Sequence, residues 1–106
     1  MFKVPQEASE RLKSISIVIP VFNEEDNLRN LLERLEAVSS SLSSYVWHYI
    51  FVNDGSRDSS WAILQKFAKY NPGITALDLS RNFGKEIGMI AGLDHVQGDA
   101  TVIIDA

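Results

Sequence analysis

The sequence predicts an α/β fold in which four mainly parallel strands alternate with three helices. Short runs rich in β-branched residues recur along the chain, and the intervals between them carry apolar residues at the spacing of amphipathic helices. The connections that follow the strands carry charged and polar residues, whereas those that precede the strands have only the residues typical of turns. This asymmetry is expected when all strands end at one edge, and it favours a parallel sheet with right-handed crossovers.

The first half of the chain gives a strand, a helix and a second strand. Residues 15–20 are dense in β-branched side chains and close on Pro20, which cannot donate to a ladder. A helix is predicted to start at Asn23, a favourable N-cap, and the acidic residues 24–26 suit its positive end. Its apolar positions are Leu28, Leu31, Leu32, Leu35 and Val38. After a serine-rich connection, residues 46–53 form the second predicted strand.

The second half repeats the alternation. Asp58 is predicted to cap a helix that ends at residues 71–73. The inner stripe of this helix is Trp61, Leu64, Phe67 and Ala68. Residues 74–79 form the third strand, residues 85–96 approximately the third helix, and residues 101–104 the fourth strand.

The third helix carries Gly88 and Gly92 four residues apart, so both lie on one face. Glycine costs roughly 1 kcal/mol relative to alanine inside a helix. The pair therefore indicates close approach by another backbone or a ligand, or tight packing of the helix on the sheet. Both explanations stay open.

Composition indicates one globular unit that does not bind nucleic acid. The 106 residues are 45% hydrophobic and 23% charged, and 10 basic against 14 acidic residues give a net charge of -4 without a basic stripe. The absence of cysteine excludes disulfides and thiolate metal sites. Residues 1–14 form a polar N-terminal extension without the apolar core of a signal peptide, and no segment reaches the ~18 apolar residues of a membrane span.

Polar clusters follow all four strands. In a parallel sheet all strands end at the same edge, so these clusters are expected to lie together there. They are residues 20–24, 53–56, 80–85 and Asp105. Two acids, Asp54 and Asp105, and two cations, Arg81 and Lys85, are expected to meet there. Acids suit hydroxyls, base N–H groups or a divalent metal, and cations suit phosphate. The set favours a nucleotide that bears a diphosphate over the simpler alternative, in which Asp54 and Ser56 only close a turn.

The motifs of other enzyme classes are missing. A dinucleotide-binding turn would need G-x-G-x-x-G after the first strand, but residues 20–24 are P-V-F-N-E, and the G-K-[ST] of a P-loop is absent. Ser/His/Asp hydrolysis is weakly supported because both histidines fall in regular elements. His48 is expected to be structural or exposed, and His95 suits the negative end of a helix.

Several motifs in order resemble the GT-A catalytic domain of family 2 glycosyltransferases. They are residues 17–25 (IVIPVFNEE), residues 52–58 (VNDGSRD) and the strand that ends in Asp105-Ala106. Within that family, residues 80–86 (SRNFGKE), 91–95 (AGLDH) and 98–100 (GDA) are similar to the polyprenyl-phosphate glycosyltransferases, with bactoprenol glucosyltransferases and dolichol-phosphate mannose synthase the nearest types. The resemblance implies that residues 15–106 form the Rossmann-like, three-layer nucleotide-binding half of a GT-A fold, with strand order 3-2-1-4, that stops at the D-x-D motif.

The resemblance also implies roles for individual residues. The nucleotide site would consist of Pro20, Phe22, Glu24, Asp54, Arg81 and Lys85. The first three would frame the uracil of a UDP-sugar, Asp54 would bond the base, and the two cations would lie near the base or the diphosphate. Asp105 would be the first acid of the D-x-D motif, a catalytic and metal-binding residue.

The implied reaction transfers a sugar, expected to be glucose, from a UDP-sugar to a polyprenyl (undecaprenyl or dolichyl) phosphate at the cytoplasmic face of the membrane. Mg²⁺ or Mn²⁺ would neutralise the leaving diphosphate, and the lipid phosphate would be the nucleophile. Because the second D-x-D acid is missing, we expect residues 1–106 to be inactive alone, and an exposed sheet edge favours self-association into a homo-oligomer. Two alternatives stay open: a nucleotide-binding module without catalysis, and a family 2 transferase with another acceptor.

Overall fold

The computed structural model describes residues 13–96 and 98–104 of the chain. Strands and helices alternate through this part: β1 Lys13–Val21, α1 Leu28–Ser41, β2 Tyr45–Asn53, α2 Ser60–Tyr70, β3 Ile74–Asp78, α3 Lys85–Leu93 and β4 Ala100–Ile103. The predicted strands are all present, with bounds within two residues of those expected. Of the predicted N-terminal extension, Lys13 and Ser14 already belong to β1, and the rest lies outside the described residues. None of the helices in this part is long and apolar enough to cross a bilayer.

The four strands form one parallel sheet in the order β3-β2-β1-β4. The register pairs Val21 at the end of β1 with Asn53 of β2, and Asn53 with Asp78 at the end of β3. The carboxyl ends of these three strands therefore lie side by side at one edge. The predicted parallel sheet and its strand order are confirmed.

Helices α1 and α2 cover one face of the sheet. The core on this side consists of Ile17, Ile19, Val21, Leu28, Tyr49, Phe51, Leu64, Phe67 and Ile74. Phe51 of β2 is fully buried and meets Phe67 of α2 edge to face, with 6.0 Å between the ring centroids. Of the predicted inner stripe of α2, Leu64 and Phe67 are buried, while Trp61 and Ala68 are partly buried at the margin of the core.

Helix α3 covers the opposite face, over a smaller core of Val18, Ile50 and Val52. Gly88 and Gly92 are both buried. A Cβ at Gly92 would overlap a methyl group of Val18 and lie 3.2 Å from Cγ2 of Val52. Close packing of the helix on the sheet therefore accounts for Gly92, and the fold has the three layers expected from the sequence.

Two predicted helix starts are wrong. Asn23 is not an N-cap, because its φ is 52° and α1 begins only after the N-cap Asn27. The N-cap of α2 is Ser59 rather than the predicted Asp58, although Asp58 Oδ1 accepts a hydrogen bond at 2.8 Å from the N–H of Ser60, the first residue of that helix. Asn23 and Asp58 both lie in loops at the carboxyl edge, where their side chains accept hydrogen bonds from the backbone of the neighbouring loop. The third helix also ends at Leu93, three residues earlier than predicted.

Candidate functional site

The end of β1, the loops after β1, β2 and β3, and the start of α3 border an open cavity of about 400 Å³ at the carboxyl edge of the sheet. It is lined by Pro20, Val21, Phe22, Glu24, Asp54, Asn82, Gly84 and Lys85. Five residues predicted for the nucleotide site share this lining: Pro20, Phe22, Glu24, Asp54 and Lys85. The volume falls in the range of small-molecule sites, roughly 300–1,000 Å³.

Arg81 lies beside this first cavity rather than in its lining. It lines a neighbouring cavity of about 540 Å³, which shares Phe22 and Asn82 with the first. Its guanidinium carbon lies 4.3 Å from the centroid of the Phe83 ring, so the cation is held against an aromatic face. Asp105 lies outside the described residues, and its place in the site stays a prediction.

Asp54 is buried, with only 3% of its surface exposed. Its Oδ1 accepts a hydrogen bond from the Phe83 N–H at 2.7 Å, and its Oδ2 accepts one from the Gly84 N–H at 3.0 Å. Nδ2 of Asn82 donates to the same Oδ2 at 3.2 Å and to the Asp54 carbonyl at 2.9 Å. The side chain therefore holds the β3–α3 loop, residues 79–84, while it forms part of the cavity lining.

Gly55 lets the β3–α3 loop pack directly on the loop after β2. Its φ is 69°, in the region that favours glycine. A Cβ at this position would overlap the backbone of Arg81 and Asn82. The Asp-Gly pair thus combines an acceptor for the loop with the space that the loop occupies.

Asn23 joins the loop after β1 to the loop after β2. Its N–H donates to Ser56 Oγ at 3.0 Å, and its Oδ1 accepts from the Arg57 N–H at 2.8 Å. The left-handed φ of 52° is one that asparagine adopts more readily than most residues. Sequence reasoning missed this pairing because the partners are more than thirty positions apart, and an N-cap requires the same residue type.

A second reciprocal pair strengthens the connection. The Glu25 N–H donates to Asp58 Oδ2 at 3.1 Å, and the Ser59 N–H donates to Glu25 Oε2 at 3.0 Å. Burial opposes the charge of Asp58, but hydrogen bonds from Ser60 and from the Glu25 backbone outweigh it, so the pKa of Asp58 lies below its ordinary value of 3.8. The charged carboxylate is therefore the form that joins the loops.

Two further hydrogen bonds orient Glu24 at the first cavity. Its N–H donates at 2.9 Å to Oγ of Ser60, which is fully buried. Its Oε2 accepts from Nδ2 of Asn27 at 2.8 Å. The main chain and one carboxylate oxygen of Glu24 are therefore fixed before any ligand binds.

Asn53 is a further residue at this edge that the sequence did not single out as a ligand contact. It is 2% exposed, and its Nδ2 donates to Oδ1 of Asp78 at 2.8 Å. Its Oδ1 accepts from the Ser56 N–H at 3.3 Å. Asn53 thus connects the ends of β2 and β3 and lines the neighbouring cavity.

The described part of the chain does not form a metal site by itself. Across residues 13–96 and 98–104, no three His, Asp or Glu side chains are grouped so that they could hold an ion. Asp105, the ligand implied by the resemblance, lies outside these residues.

Comparison with protein families gives a match to a family model over residues 16–106, and that model describes glycosyl transferase family 2. The chain belongs to this family. An uncharacterized glycosyltransferase of Synechocystis sp. is 48% identical over 92 residues, which are 87% of this family 2 chain and 29% of that protein.

Two other relatives carry names of polyprenyl-phosphate enzymes. A prophage bactoprenol glucosyl transferase homolog of Escherichia coli is 42% identical over 91 residues, 86% of this chain and 29% of that protein. The undecaprenyl-phosphate 4-deoxy-4-formamido-L-arabinose transferase of Salmonella paratyphi A is 36% identical over 96 residues, 90% of this chain and 29% of that protein. The resemblance to this branch of family 2 is confirmed, and the chain spans less than a third of the length of these relatives.

Solved structures share the fold of this family 2 chain. A mannosyltransferase from Pyrobaculum calidifontis, in complex with GDP-Man and Mn²⁺, matches with a TM-score of 0.76 at 19% identity, over 89% of this chain and 27% of that one. TarS of S. aureus, residues 1–349, matches with a TM-score of 0.70 at 19% identity, over 87% of this chain and 27% of that one. The GT-A fold predicted from the sequence is confirmed.

Proposed function

We propose that this family 2 chain is the nucleotide-sugar-binding part of an enzyme that transfers a sugar from a UDP-sugar to a polyprenyl phosphate. Bactoprenol and undecaprenyl phosphate appear in the names of two relatives, which supports this acceptor, and one of those names supports glucose as the sugar. The observation that carries the proposal is the first cavity, because five residues predicted for the nucleotide line it together.

The chemistry of the first cavity suits a nucleoside diphosphate. Pro20 and Phe22 provide an apolar wall, and Phe22 is 45% exposed, so its ring is open to a base. Glu24 offers a carboxylate to N–H or hydroxyl groups. Lys85 is the first residue of α3, where its ammonium and the positive end of the helix both favour phosphate. Arg81 adds positive charge from the neighbouring cavity.

A divalent cation, Mg²⁺ or Mn²⁺, would neutralise charge on the leaving diphosphate when bound. The Mn²⁺ in the Pyrobaculum calidifontis mannosyltransferase supports a divalent metal, and Asp105 is the residue of this chain that we assign to it. The described residues supply the nucleotide side of the reaction: they bind and orient the donor, and the acceptor phosphate attacks the sugar.

The acceptor that we propose is a membrane lipid, so the whole enzyme would work at the cytoplasmic face of the membrane. Two features support self-association of the chain. All four residues of β4, which lies at the edge of the described sheet, are exposed. Helix α3 also exposes Ile87, Ile90 and Leu93. Light scattering of residues 1–106 should give a mass above that of a monomer, and a strictly monomeric mass would contradict this part of the proposal.

Titration calorimetry with UDP and Mn²⁺ tests the nucleotide site. We expect wild type to bind UDP and Lys85→Ala to bind it about tenfold or more weakly, because a hydrogen bond to a charged group contributes about 1.5–3 kcal/mol. Uridine, which has no phosphate, should bind both proteins equally. Lys69→Ala is a matched control, since that ammonium lies 5.5 Å from the Tyr70 ring centroid at the far end of α2. Undetectable UDP binding to wild type would refute the proposed site.

A transfer assay separates the enzyme from a binding module. The whole protein should transfer glucose from UDP-glucose to undecaprenyl phosphate, whereas residues 1–106 should bind UDP and transfer nothing. Transfer by residues 1–106 would show that the expected inactivity is wrong. Nucleotide binding without transfer by the whole protein, tested against several polyprenyl phosphates, would favour the non-catalytic module.

A further inference from the structure

The β3–α3 loop provides part of the wall of the first cavity, and its conformation depends on contacts outside itself. Asn82 and Gly84 line the cavity, and Lys85 follows directly as the first residue of α3. Gly84 has a φ of 97° and precedes the helix without a side-chain cap. Packing on the sheet fixes the body of α3, but the path of residues 82–84 determines how the helix starts and with it where Lys85 lies.

Asp54 holds them. Three donors from three consecutive residues converge on its two carboxylate oxygens: the side-chain amide of Asn82 and the backbone N–H groups of Phe83 and Gly84. All three donor–acceptor distances lie between 2.7 and 3.2 Å. Hydrogen bonds to a carboxylate are among the stronger ones in proteins. A carboxylate has about four acceptor positions, so the loop occupies most of them.

The neighbouring residue supports the same arrangement. Gly55 has the left-handed φ and the missing Cβ that allow the backbone of Arg81 and Asn82 to lie against it. Asp54 thus receives the loop at a distance that only glycine at position 55 permits. No ligand is needed for these contacts, since all of them are made between parts of the chain.

We infer that Asp54 is a positioning residue, which organises the β3–α3 loop before the nucleotide binds and so places Lys85 toward the diphosphate. The role goes beyond the bond to the base that the sequence predicts for this acid, and its second half rests on the proposed nucleotide site. A base contact alone would leave the loop of the ligand-free protein unaffected by changes at Asp54. A positioning role requires that the loop respond without any ligand.

Amide hydrogen exchange of the ligand-free chain measures that response. Asp54→Asn keeps the size of the side chain but replaces one acceptor by an NH₂ group that faces loop donors. We expect the Phe83 and Gly84 amides to exchange at least about tenfold faster in this variant. Asp58→Asn is the matched control, because Asp58 lies in the same loop but accepts from the backbone of Glu25 and Ser60. Because Asp58→Asn weakens the fold as a whole, it should speed exchange at Phe83 and Gly84 no more than at amides elsewhere in the chain.

The affinity for UDP supplies the second readout. If Asp54 acts through the loop on Lys85, the two substitutions should not have additive effects on UDP affinity. The double variant Asp54→Asn, Lys85→Ala should bind UDP with an affinity within about twofold of that of the single variant that binds UDP less tightly. If circular dichroism shows that Asp54→Asn does not fold, Asn82→Ala replaces it. Asn82→Ala removes two of the hydrogen bonds between the loop and residue 54, so it should also speed exchange at Phe83 and Gly84.

Unchanged exchange at both amides in Asp54→Asn, or in Asn82→Ala where that variant is needed, would overturn the inference. An equal increase in Asp58→Asn would overturn it as well, because the effect would then be global opening. Fully additive losses of UDP affinity would reject the action through Lys85. Failure of wild type to bind UDP would refute the proposed nucleotide site, while the exchange data would still decide the role of Asp54 in the loop.

Discussion

Replacing Gly92 by alanine should destabilise the protein, although alanine is the better helix former. Gly92 lies in α3 above the sheet, and a Cβ there would overlap a methyl group of Val18 and approach Cγ2 of Val52 at 3.2 Å. Both valines are fully buried. Their β-branched side chains have restricted rotamers and cannot easily move aside, so either they or the helix must shift.

Gly88 is the internal control, because it lies one turn earlier on the same face of the helix. A Cβ there would be 3.7 Å from Cβ of Pro20 and 3.9 Å from Cγ1 of Val52, which are ordinary contacts. Gly88→Ala should therefore stabilise the protein by about 0.5–1 kcal/mol through helix propensity. Gly92→Ala gains the same amount but loses about 1–3 kcal/mol to overpacking, so the two variants should differ by about 1–3 kcal/mol.

Thermal unfolding followed by circular dichroism measures the difference. About 1 kcal/mol shifts the Tm of a domain of this size by about 4–8 °C, so Gly92→Ala should melt at least about 4 °C below Gly88→Ala. Equal melting temperatures would refute the close packing of α3 on β1 and β2. A higher Tm for Gly92→Ala than for Gly88→Ala would refute it more strongly.

Three other predictions concern the loops at the carboxyl edge. Gly55→Ala should lower the free energy of unfolding by roughly 2–5 kcal/mol, because it combines a left-handed φ with overlap on the neighbouring loop; an unchanged urea midpoint would contradict that contact. Asn23→Ala loses the hydrogen bond from the Arg57 N–H and puts alanine in a strained backbone conformation with a φ of 52°. Its free energy of unfolding in urea should therefore be about 1 kcal/mol lower than that of Asn23→Gly, and equal urea midpoints for the two variants would argue against the strain. Asp58→Asn should destabilise the fold at pH 7 but much less near pH 3. The pKa of Asp58 is lowered on folding, so its contribution is present above the ordinary value of 3.8 and is lost as the pH falls through the folded pKa; the same urea difference at both pH values would contradict this.

The local sequence pattern is sufficient to predict the helices and strands, but it does not predict the roles of the loop residues. The leucines from Leu28 onward predict α1, but the sequence also predicts that the helix starts at Asn23. That start is wrong because an N-cap and a bond between loops both use an asparagine oxygen to accept a backbone N–H. The two differ only in which N–H lies nearby, and Arg57 comes near only through the sheet. Similarly, nothing local to Arg81 predicts that it lines the neighbouring cavity, since that follows from how Asp54 turns the loop.

The amino-acid sequence by itself determined the alternation of strands and helices, the parallel sheet and the grouping of polar residues at one edge. Each of these depends on the periodicity of apolar residues and on the direction in which the strands end. The tertiary structure alone decided which of those polar groups face a cavity and which bond to one another. Hydrogen bonds such as those from Phe83 and Gly84 to Asp54 join residues about thirty positions apart, and only the packing of loops on neighbouring strands brings such partners within 3 Å.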